Sequence, residues 1–338
     1  MTRNKIFGAL LGAGVACLAV STSAGAGDAY KPSRMPDGKP SFEGAWTNAT
    51  LTTLQRPARF KSLVIPANEV EAVTNSNPQV VRQRTDDATE QRAGNTNLDG
   101  RDLQGGRGYN AFWIDPGMTY NTVRGEYRTS FIVDPQNGQI PFKQGVRDAR
   151  AENRGGENRG GFDGPEARPL GERCVINSGS AGPPMMTYLY NNNYEIAQTH
   201  DHLLIRVEMN NYARIVRIGG KHVPAGIREF HGDSIGHWEG DTLVVETTNM
   251  HPYHANGMIG LSAQGKVTER FTRTSDKQLL YQFTVEDPTR YSQPWTGEYS
   301  FNATDGRVYE YACHEGNYAL PGVLSGAREQ EKQAAAKQ

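Results

Sequence analysis

The chain has 338 residues, of which 36 are basic and 37 acidic, and its formal net charge is -1 at pH 7. Because the basic and acidic residues are almost equal in number, the net charge gives no electrostatic attraction for nucleic acid or for an anionic membrane surface. The 38 glycines and 18 prolines, with hydrophobic residues at only 36%, favour many short strands joined by turns over a helical bundle.

The first residues follow the pattern of an export signal. Arg3 and Lys5 precede an apolar run over residues 6–20, and small residues follow it. The run is shorter than the ~20 residues of a membrane-spanning helix, and no later segment approaches that length. We therefore predict a signal peptide over residues 1–26, no integral membrane segment, and a periplasmic or secreted mature protein.

The cysteines favour one disulfide bond. Cys17 lies within the predicted signal, where Gly14 disfavours a lipid anchor because such signals place a branched aliphatic residue there. Cys174 and Cys313 then remain in an oxidising compartment, and such a pair is most simply a disulfide. The alternative is a nucleophilic thiol at Cys313 beside His314, which we disfavour because a free thiol there would be oxidised.

In chain order, the first half of the mature chain alternates short elements with polar inserts. A strand is predicted around Trp46, and a short helical segment over residues 66–81. Two glycine-rich polar stretches, near residues 82–108 and 147–164, are predicted to be flexible inserts. Between them, residues 130–133 and 139–142 flank a Pro-Gln-Asn-Gly turn and predict a hairpin.

The second half reads as almost continuous β-structure. Residues 203–207 and 279–286 alternate between apolar and polar side chains with period two, which indicates sheets with two distinct faces. Hairpin turns are predicted at Asn210-Asn211, Gly219-Gly220, Glu239-Gly240-Asp241, Ser275-Asp276-Lys277 and Asp305-Gly306. We predict a single, mainly β domain over residues 27–326, an antiparallel meander that forms a lipocalin-like barrel or a sandwich with long irregular loops. Residues 327–338 are predicted to be a frayed C-terminal helix.

The polar faces of these strands present two alternatives. Charged and hydroxyl side chains on them either line a barrel lumen, forming a ligand cavity, or face solvent, as is usual for antiparallel sheets. The residues concerned are Glu208, Glu246, Glu269, Gln282, Thr284, Glu286 and Glu310.

The segment from His231 to Asn249, HGDSIGHWEGDTLVVETTN, concentrates titratable groups on a predicted hairpin. A histidine beside a carboxylate can exchange a proton with a substrate near neutral pH, while an arginine stabilises a developing oxyanion. The predicted catalytic residues are His231, Asp233, Glu246 and His314, with Arg217 or Arg228 as the oxyanion partner. Against each stands a purely structural role in a turn or at a strand end.

A metal site is the alternative use of the histidines. His200 and His202 would share one face of a strand, and His251 and His254 frame a turn. Further donors are His231, His237, His314 and Asp233. None of these spacings has the specificity of a helical HExxH motif, so we predict no metal ligands and no cofactor, and leave a metal ion as the minor alternative.

Aromatic residues near loops and strand ends favour a small-molecule cavity, although some belong equally well in a core. They are Phe112, Trp113, Tyr188, Tyr190, Tyr194, Trp238, Tyr291 and Trp295. The residues predicted to bind a substrate are Arg217, Trp238, Tyr190 and Glu208.

Three function classes remain open from the residues. The first is an exported enzyme of the isomerase, lyase or hydratase type, which acts on a small organic molecule by acid/base chemistry in a barrel cavity. The second is a periplasmic lipocalin-like carrier of a hydrophobic small molecule, and the third is a structural envelope protein without a cavity.

The chain also resembles a large family of secreted bacterial proteins that mostly carry no assigned function. The resemblance rests on DGKPSFEGAWTN, FWIDPG, RTSFIVDPQNGQIP, RPLGERC, GDSIGHWEGDTLVVETTN, ERFTR, VEDPTRYSQPWT and YEYACHEGNY, in this order. It implies one contiguous β-rich domain and pairs Cys174 with Cys313. It supplies no activity and no catalytic residues. His237 stands where a basic residue such as Arg is more usual in the family, and the insert rich in Asn, Arg and Gly is longer.

Overall fold

The alternating segments form a closed β-barrel, as predicted. The computed structural model describes residues 30–84, 117–146, 161–176, 182–251 and 259–337. Nine strands form the barrel wall in the order β1-β6-β7-β8-β9-β10-β11-β12-β13, and β13 pairs again with β1 to close it. The wall strands are β1 (Gly44–Thr47), β6 (Asn193–Gln198), β7 (His202–Val207), β8 (Tyr212–Ile218), β9 (Asp233–Glu239), β10 (Thr242–Thr248), β11 (Lys266–Ser275), β12 (Gln278–Glu286) and β13 (Trp295–Ala303).

The meander has one interruption. All neighbouring wall strands are antiparallel except β8 and β9, which run parallel, with Val216 opposite Ser234. Parallel neighbours cannot be joined by a tight turn, so the hairpin predicted at Gly219-Gly220 is wrong. Residues 219–232 instead cross from the end of β8 to the start of β9, and we call them the crossover loop.

Two other predicted hairpins need correction. The Pro-Gln-Asn-Gly turn is present, since the amide of Gly138 donates to the carbonyl of Pro135 at 2.9 Å. The strand before it, β5 (Ile132–Asp134), pairs with β13 and not with residues 139–142. No strand follows Asp305-Gly306 among the described residues up to position 337, because the chain there is irregular and then helical.

A small second sheet packs beside the barrel. It consists of β2 (Val64–Ile65), β4 (Glu126–Arg128) and β3 (Thr122–Val123), in that order. Helix α1 (Val70–Asn75) lies within the predicted helical segment, and the C-terminal helix α2 (Ala319–Ala335) begins before the predicted tail. No helix in the described ranges is long and apolar enough to cross a membrane.

The predicted disulfide is confirmed. Cys174 and Cys313 are bonded across 139 positions of sequence, which ties the segment before β6 to the segment after β13. The predicted signal, most of both inserts, Phe112, Trp113 and His254 lie outside the described residues. The domain boundaries that the sequence suggests stay predictions.

The barrel lumen holds the main core. The apolar strand faces point inward, and Tyr281 lies near its centre, its ring centroid 5.1 Å from that of Phe271 and 5.0 Å from that of Tyr299. Two segments outside the wall also enter this core, because Phe42 and Met185 are both fully buried. The amide of Met185 donates to the hydroxyl of Tyr281, and its carbonyl accepts from Tyr299, each at 2.9 Å. The described lumen is therefore filled by side chains.

Candidate functional site

A polar cluster lies on the outer face of the barrel, where the crossover loop meets β9 and β10. Nδ1 of His222, in the loop, lies 2.7 Å from Oδ2 of Asp233 at the start of β9. Nε2 of the same ring lies 3.3 Å from Oε1 of Glu246 in β10. One imidazole thus bridges two carboxylates that are far from it in sequence, and we call these three residues the bridged histidine site.

The backbone around the site fixes its geometry. The amide of Val223 donates to Oδ2 of Asp233 at 3.0 Å, and the side chain of Asn249 donates to the carbonyl of Val223 at 3.0 Å. Arg217 reaches back from β8, because its Nη2 lies 2.9 Å from the carbonyl of Lys221 and 2.8 Å from Oδ1 of Asp233. These contacts tie the loop to the barrel wall on both sides of His222.

Asp233 is the buried member of the site, with 3% of its side chain exposed. Burial opposes ionisation of this carboxyl, but hydrogen bonds from His222, the Val223 amide and Arg217 outweigh that effect and hold its pKa below the ordinary value. Since an ionised carboxylate only accepts hydrogen bonds, His222 must donate through Nδ1. Nε2 is then the ring nitrogen left to exchange a proton.

Glu246 lies at the open side of the site. Its side chain is 41% exposed, and that of His222 is 22% exposed, so solvent and small molecules have access to both. Nζ of Lys266 lies 3.8 Å from Glu246 and 2.8 Å from Glu286. The hydrogen bond to Glu286 and the loss of solvent act in opposite directions on Lys266, and the hydrogen bond prevails and raises its pKa. The site therefore combines one buried carboxylate, fixed by several hydrogen bonds, with one exposed carboxylate.

A second polar cluster lies inside the barrel. Arg214 and Glu269 form a buried ion pair, with Nη1 of Arg214 2.9 Å from Oε1 of Glu269. The guanidinium also donates to Ser234 and Thr247, each at 3.2 Å, and Tyr281 donates to Glu269 at 2.6 Å. Burial is the main cause that raises the pKa of Tyr281 well above its ordinary value, so its hydroxyl keeps its proton. This cluster is satisfied internally and closed to solvent, which suits a role in the core.

The predicted catalytic residues separate into two groups. Asp233 and Glu246 come together at the bridged histidine site, whereas His231 is buried and contacts the carbonyl of Gly182 through Nδ1. The ring of His231 also contacts the ring of Tyr212, with centroids 3.8 Å apart and the two planes tilted by 56°. His314 is exposed in the turn after Cys313.

The predicted substrate-binding residues separate in the same way. Arg217 belongs to the site through Asp233. Trp238 packs on Phe42 with ring centroids 5.5 Å apart, and Tyr190 packs edge-on against Tyr188. Glu208 is 4% exposed and accepts a hydrogen bond from Asn193 at 2.7 Å. Arg228, the alternative oxyanion partner, donates to the carbonyl of Met250 at 3.3 Å.

The idea that the polar strand faces line a lumen is wrong for most of the residues named. Period two, with the apolar side inside, places Glu246, Gln282, Thr284 and Glu286 on the outer face. Only Glu269 points into the core, where it pairs with Arg214. Glu208 follows the last residue of β7 and precedes a 3-10 turn, and Glu310 lies in irregular backbone.

The histidine pairs do not form a metal site in the described part of the chain. His200 precedes β7 and does not share a strand face with His202, although both contact Asp201, at 3.7 Å and 2.9 Å. His237 is exposed and contacts Glu239 at 3.3 Å. No group of three or more His, Cys, Asp or Glu side chains among the described residues is arranged to hold a metal ion.

A groove of about 250 Å³ lies beside the small sheet, but it has no acid/base chemistry of its own. Its lining is hydroxyl, amide and aromatic in character, and it includes none of the predicted catalytic residues. The lining residues are Ala49, Thr50, Thr119, Tyr120, Asn121, Thr122, Tyr127 and Asn302.

The sequence prediction missed the central member of the site. His222 lies in a loop without periodicity, and its partners are 11 and 24 positions away, so no local spacing indicates it. The buried ion pair of Arg214 and Glu269 is easier to recognise from the sequence. Arg214 lies two positions before Val216, and Glu269 lies midway between Val267 and Phe271, so each charge interrupts an apolar strand face.

Comparisons of this chain with protein-family models, with characterised proteins and with solved structures found no match.

Proposed function

We propose that this protein is an acid/base enzyme of the isomerase, lyase or hydratase type that acts on a small organic molecule at the bridged histidine site. The observation that carries the proposal is His222, whose two ring nitrogens face a buried carboxylate and an exposed one. A histidine oriented by a buried aspartate is a recurring arrangement for proton transfer. The proposal moves the predicted chemistry from the lumen to the outer face.

Each residue has a distinct part in the proposed reaction. Asp233 holds Nδ1 of His222 and thereby sets the tautomer, while this bond and those from the Val223 amide and Arg217 keep Asp233 ionised. Nε2 of His222 takes a proton from a C–H or O–H group of the substrate once Glu246 moves aside, and returns it to another atom. Glu246, whose Oε1 lies 3.3 Å from Nε2, is the second proton-carrying group. Such chemistry needs no organic cofactor.

The carrier alternative has less support. A lipocalin-like carrier needs an open apolar lumen, and the described lumen is occupied by core side chains such as Tyr281 and Met185. The enzyme proposal needs only access to the outer face, which the exposure of Glu246 and His222 provides.

A generic base probe tests the proposal without knowledge of the natural substrate. In 5-nitrobenzisoxazole, removal of the ring C–H proton breaks the N–O bond and releases a coloured cyanophenolate, so only a base is required. We expect saturable turnover by the full protein and a loss of about 100-fold or more in His222→Gln. The matched control is His237→Gln, which alters a histidine that lies in β9 and contacts Glu239.

The contrast between the two variants decides the outcome. Both are compared by circular dichroism and urea unfolding, so that a folding defect is recognised. If His222→Gln, folded as the wild type, turns the probe over at the wild-type rate, the bridged histidine is a structural clamp. Equal losses in both histidine variants would also contradict the proposal.

A further inference from the structure

We infer that the substrate of this site is a molecule without negative charge whose apolar body lies on an aliphatic strip of the outer barrel face. The inference rests on the proposed function of His222. The strip consists of Leu204 in β7, Ile215 in β8 and Ile235 in β9, and we call it the outer strip.

The strand register places the outer strip beside the bridged histidine site. Ile235 lies directly opposite Glu246 on one side and opposite Arg217 on the other. Leu204 and Ile215 are opposite each other, and Ile215 shares its strand face with Arg217, two positions further along. Neighbouring strands lie about 4.8 Å apart, so the strip and the site together span the width of a small substrate.

Ile215 is the exposed member of the strip, whereas Leu204 and Ile235 are partly buried. Ile215 is 56% exposed, whereas Val244 and Leu280, the outward aliphatic residues of β10 and β12, are 4% and 5% exposed. The other outward positions of β10, β11 and β12 are polar. They are Thr242, Glu246, Thr248, Lys266, Thr268, Arg270, Thr272, Gln278, Gln282, Thr284 and Glu286. An aliphatic surface beside a few convergent polar groups is the usual composition of a small-molecule site.

The charges of the site exclude an anionic substrate. Three carboxylates, Asp233, Glu246 and Glu286, surround two cations, Arg217 and Lys266. The sum is +2 - 3 = -1 with a neutral His222 and 0 with a protonated one, so the site has no net positive charge in either state. Each cation is already within 2.8 Å of a carboxylate, so a substrate anion would compete with a permanent partner. The polar end of the substrate is therefore a hydrogen-bonding group without negative charge.

Methyl NMR of the isoleucines tests the inference by binding, independently of turnover. The probes are 2-naphthol and naphthalene-2-sulfonate, which share one ring system and differ in charge at neutral pH. We expect saturable shifts of the Ile215 and Ile235 methyl signals with 2-naphthol. Binding of the sulfonate should be at least about tenfold weaker, and Ile215→Thr should weaken 2-naphthol binding by about tenfold. The control variant is Val323→Thr, an exposed aliphatic residue of α2.

Several results would overturn the inference. They are unchanged strip methyls, equal affinity for the two probes, an equal effect of both variants, and strip shifts that depend on protein concentration alone. The last result would identify a contact between copies. Binding at the strip without turnover of 5-nitrobenzisoxazole would contradict only the proposed function. Turnover that requires His222 but leaves the strip methyls unshifted by 2-naphthol sinks the inference about the substrate alone.

Discussion

Arg214 and Glu269 form their ion pair in the barrel core, with 3% and 0% of the side chains exposed. A buried pair contributes little net stability over apolar residues, but removal of one partner leaves the other charge without compensation. At the scale of single residues, this pair is therefore sensitive to the loss of either partner. Ser234 and Thr247 accept further hydrogen bonds from Arg214, and Tyr281 donates one to Glu269, so a change in any one of them affects the others.

We expect Glu269→Gln to lower the free energy of unfolding by about 3–5 kcal/mol, because Arg214 stays buried and charged. Urea unfolding followed by tryptophan fluorescence measures the change. The double variant Glu269→Leu with Arg214→Met should be more stable than Glu269→Gln, since no charge then remains in the core. An exposed pair offers the control. Glu239→Gln, which removes the contact with Arg270, should change stability little.

Asp233 gives the site a defined pH dependence. Its folded pKa lies below the ordinary value of 3.8, so its stabilising contribution is complete above that value and is lost as the pH falls through the folded pKa. We expect the stability difference between the wild type and Asp233→Asn to be constant above about pH 5 and to shrink below about pH 4. Urea unfolding at a series of pH values measures it. A difference that instead grows toward acid pH would mean that the pKa of Asp233 is raised by folding.

What the sequence predicts at this scale depends on how local the partners are. Asp233 and Glu246 were predicted because both lie on one predicted hairpin, β9 to β10, where the sequence concentrates titratable groups. His222 was not, because its role comes from the path of a loop and not from a spacing. His231 was predicted to be catalytic on proximity to Asp233, yet the two residues point to different sides of the wall, one into the core and one to the outer face.

At the scale of elements, period-two alternation predicted the strands because each has one buried face. The turns at residues 239–241 and 275–277 were predicted correctly, since consecutive antiparallel strands need only two or three residues between them. The prediction of a tight turn at Gly219-Gly220 was wrong because a glycine pair can occur in a tight turn and equally at the start of a longer loop. Strand pairing between distant segments, such as β1 with β6 and β13, has no local signal at all.

Gly297 shows how two neighbouring strands depend on a missing side chain. It lies opposite Phe283, and a Cβ atom at this position would be 2.3 Å from Cζ of that ring. We expect Gly297→Ala to destabilise the barrel by about 1–3 kcal/mol, the usual cost of overpacking a core. Thermal unfolding measures it. Adding Phe283→Leu should recover part of the loss. If the double variant loses more free energy of unfolding than the two single variants together, this explanation is contradicted.

At the scale of the molecule, the disulfide links two segments that are far apart in the sequence. It joins residues 139 positions apart, and the enclosed chain contains every wall strand except β1. The loop-closure estimate for such a length is about 5 kcal/mol, and measured values usually fall between about 2 and 4 kcal/mol. We therefore expect Cys174→Ser with Cys313→Ser to lower the free energy of unfolding by about 2–4 kcal/mol in urea. Reduction of the wild type should reproduce the loss, and a smaller effect in both would show that the unfolded chain is already compact.

The architecture of the whole molecule was predictable only in class. Composition and alternation predicted a mainly β fold with a barrel as one option, and the barrel is present. The entry of Phe42 and Met185 into the core was not predictable, because both come from irregular segments whose destination no pattern encodes. That filling of the core is the reason why the proposed chemistry lies outside the wall.

The count of wall strands has a consequence of its own. Around a closed ring, strand direction reverses at every antiparallel contact, so the number of reversals must be even. A ring of nine therefore requires an odd number of parallel contacts, and this barrel has one, between β8 and β9. A ring with an odd number of strands thus needs a connection between parallel neighbours, and in this barrel the loop that carries His222 provides it. Replacement of residues 219–232 by a tight turn would force β9 to reverse, and a ring of nine could then close only with a parallel contact elsewhere in the wall.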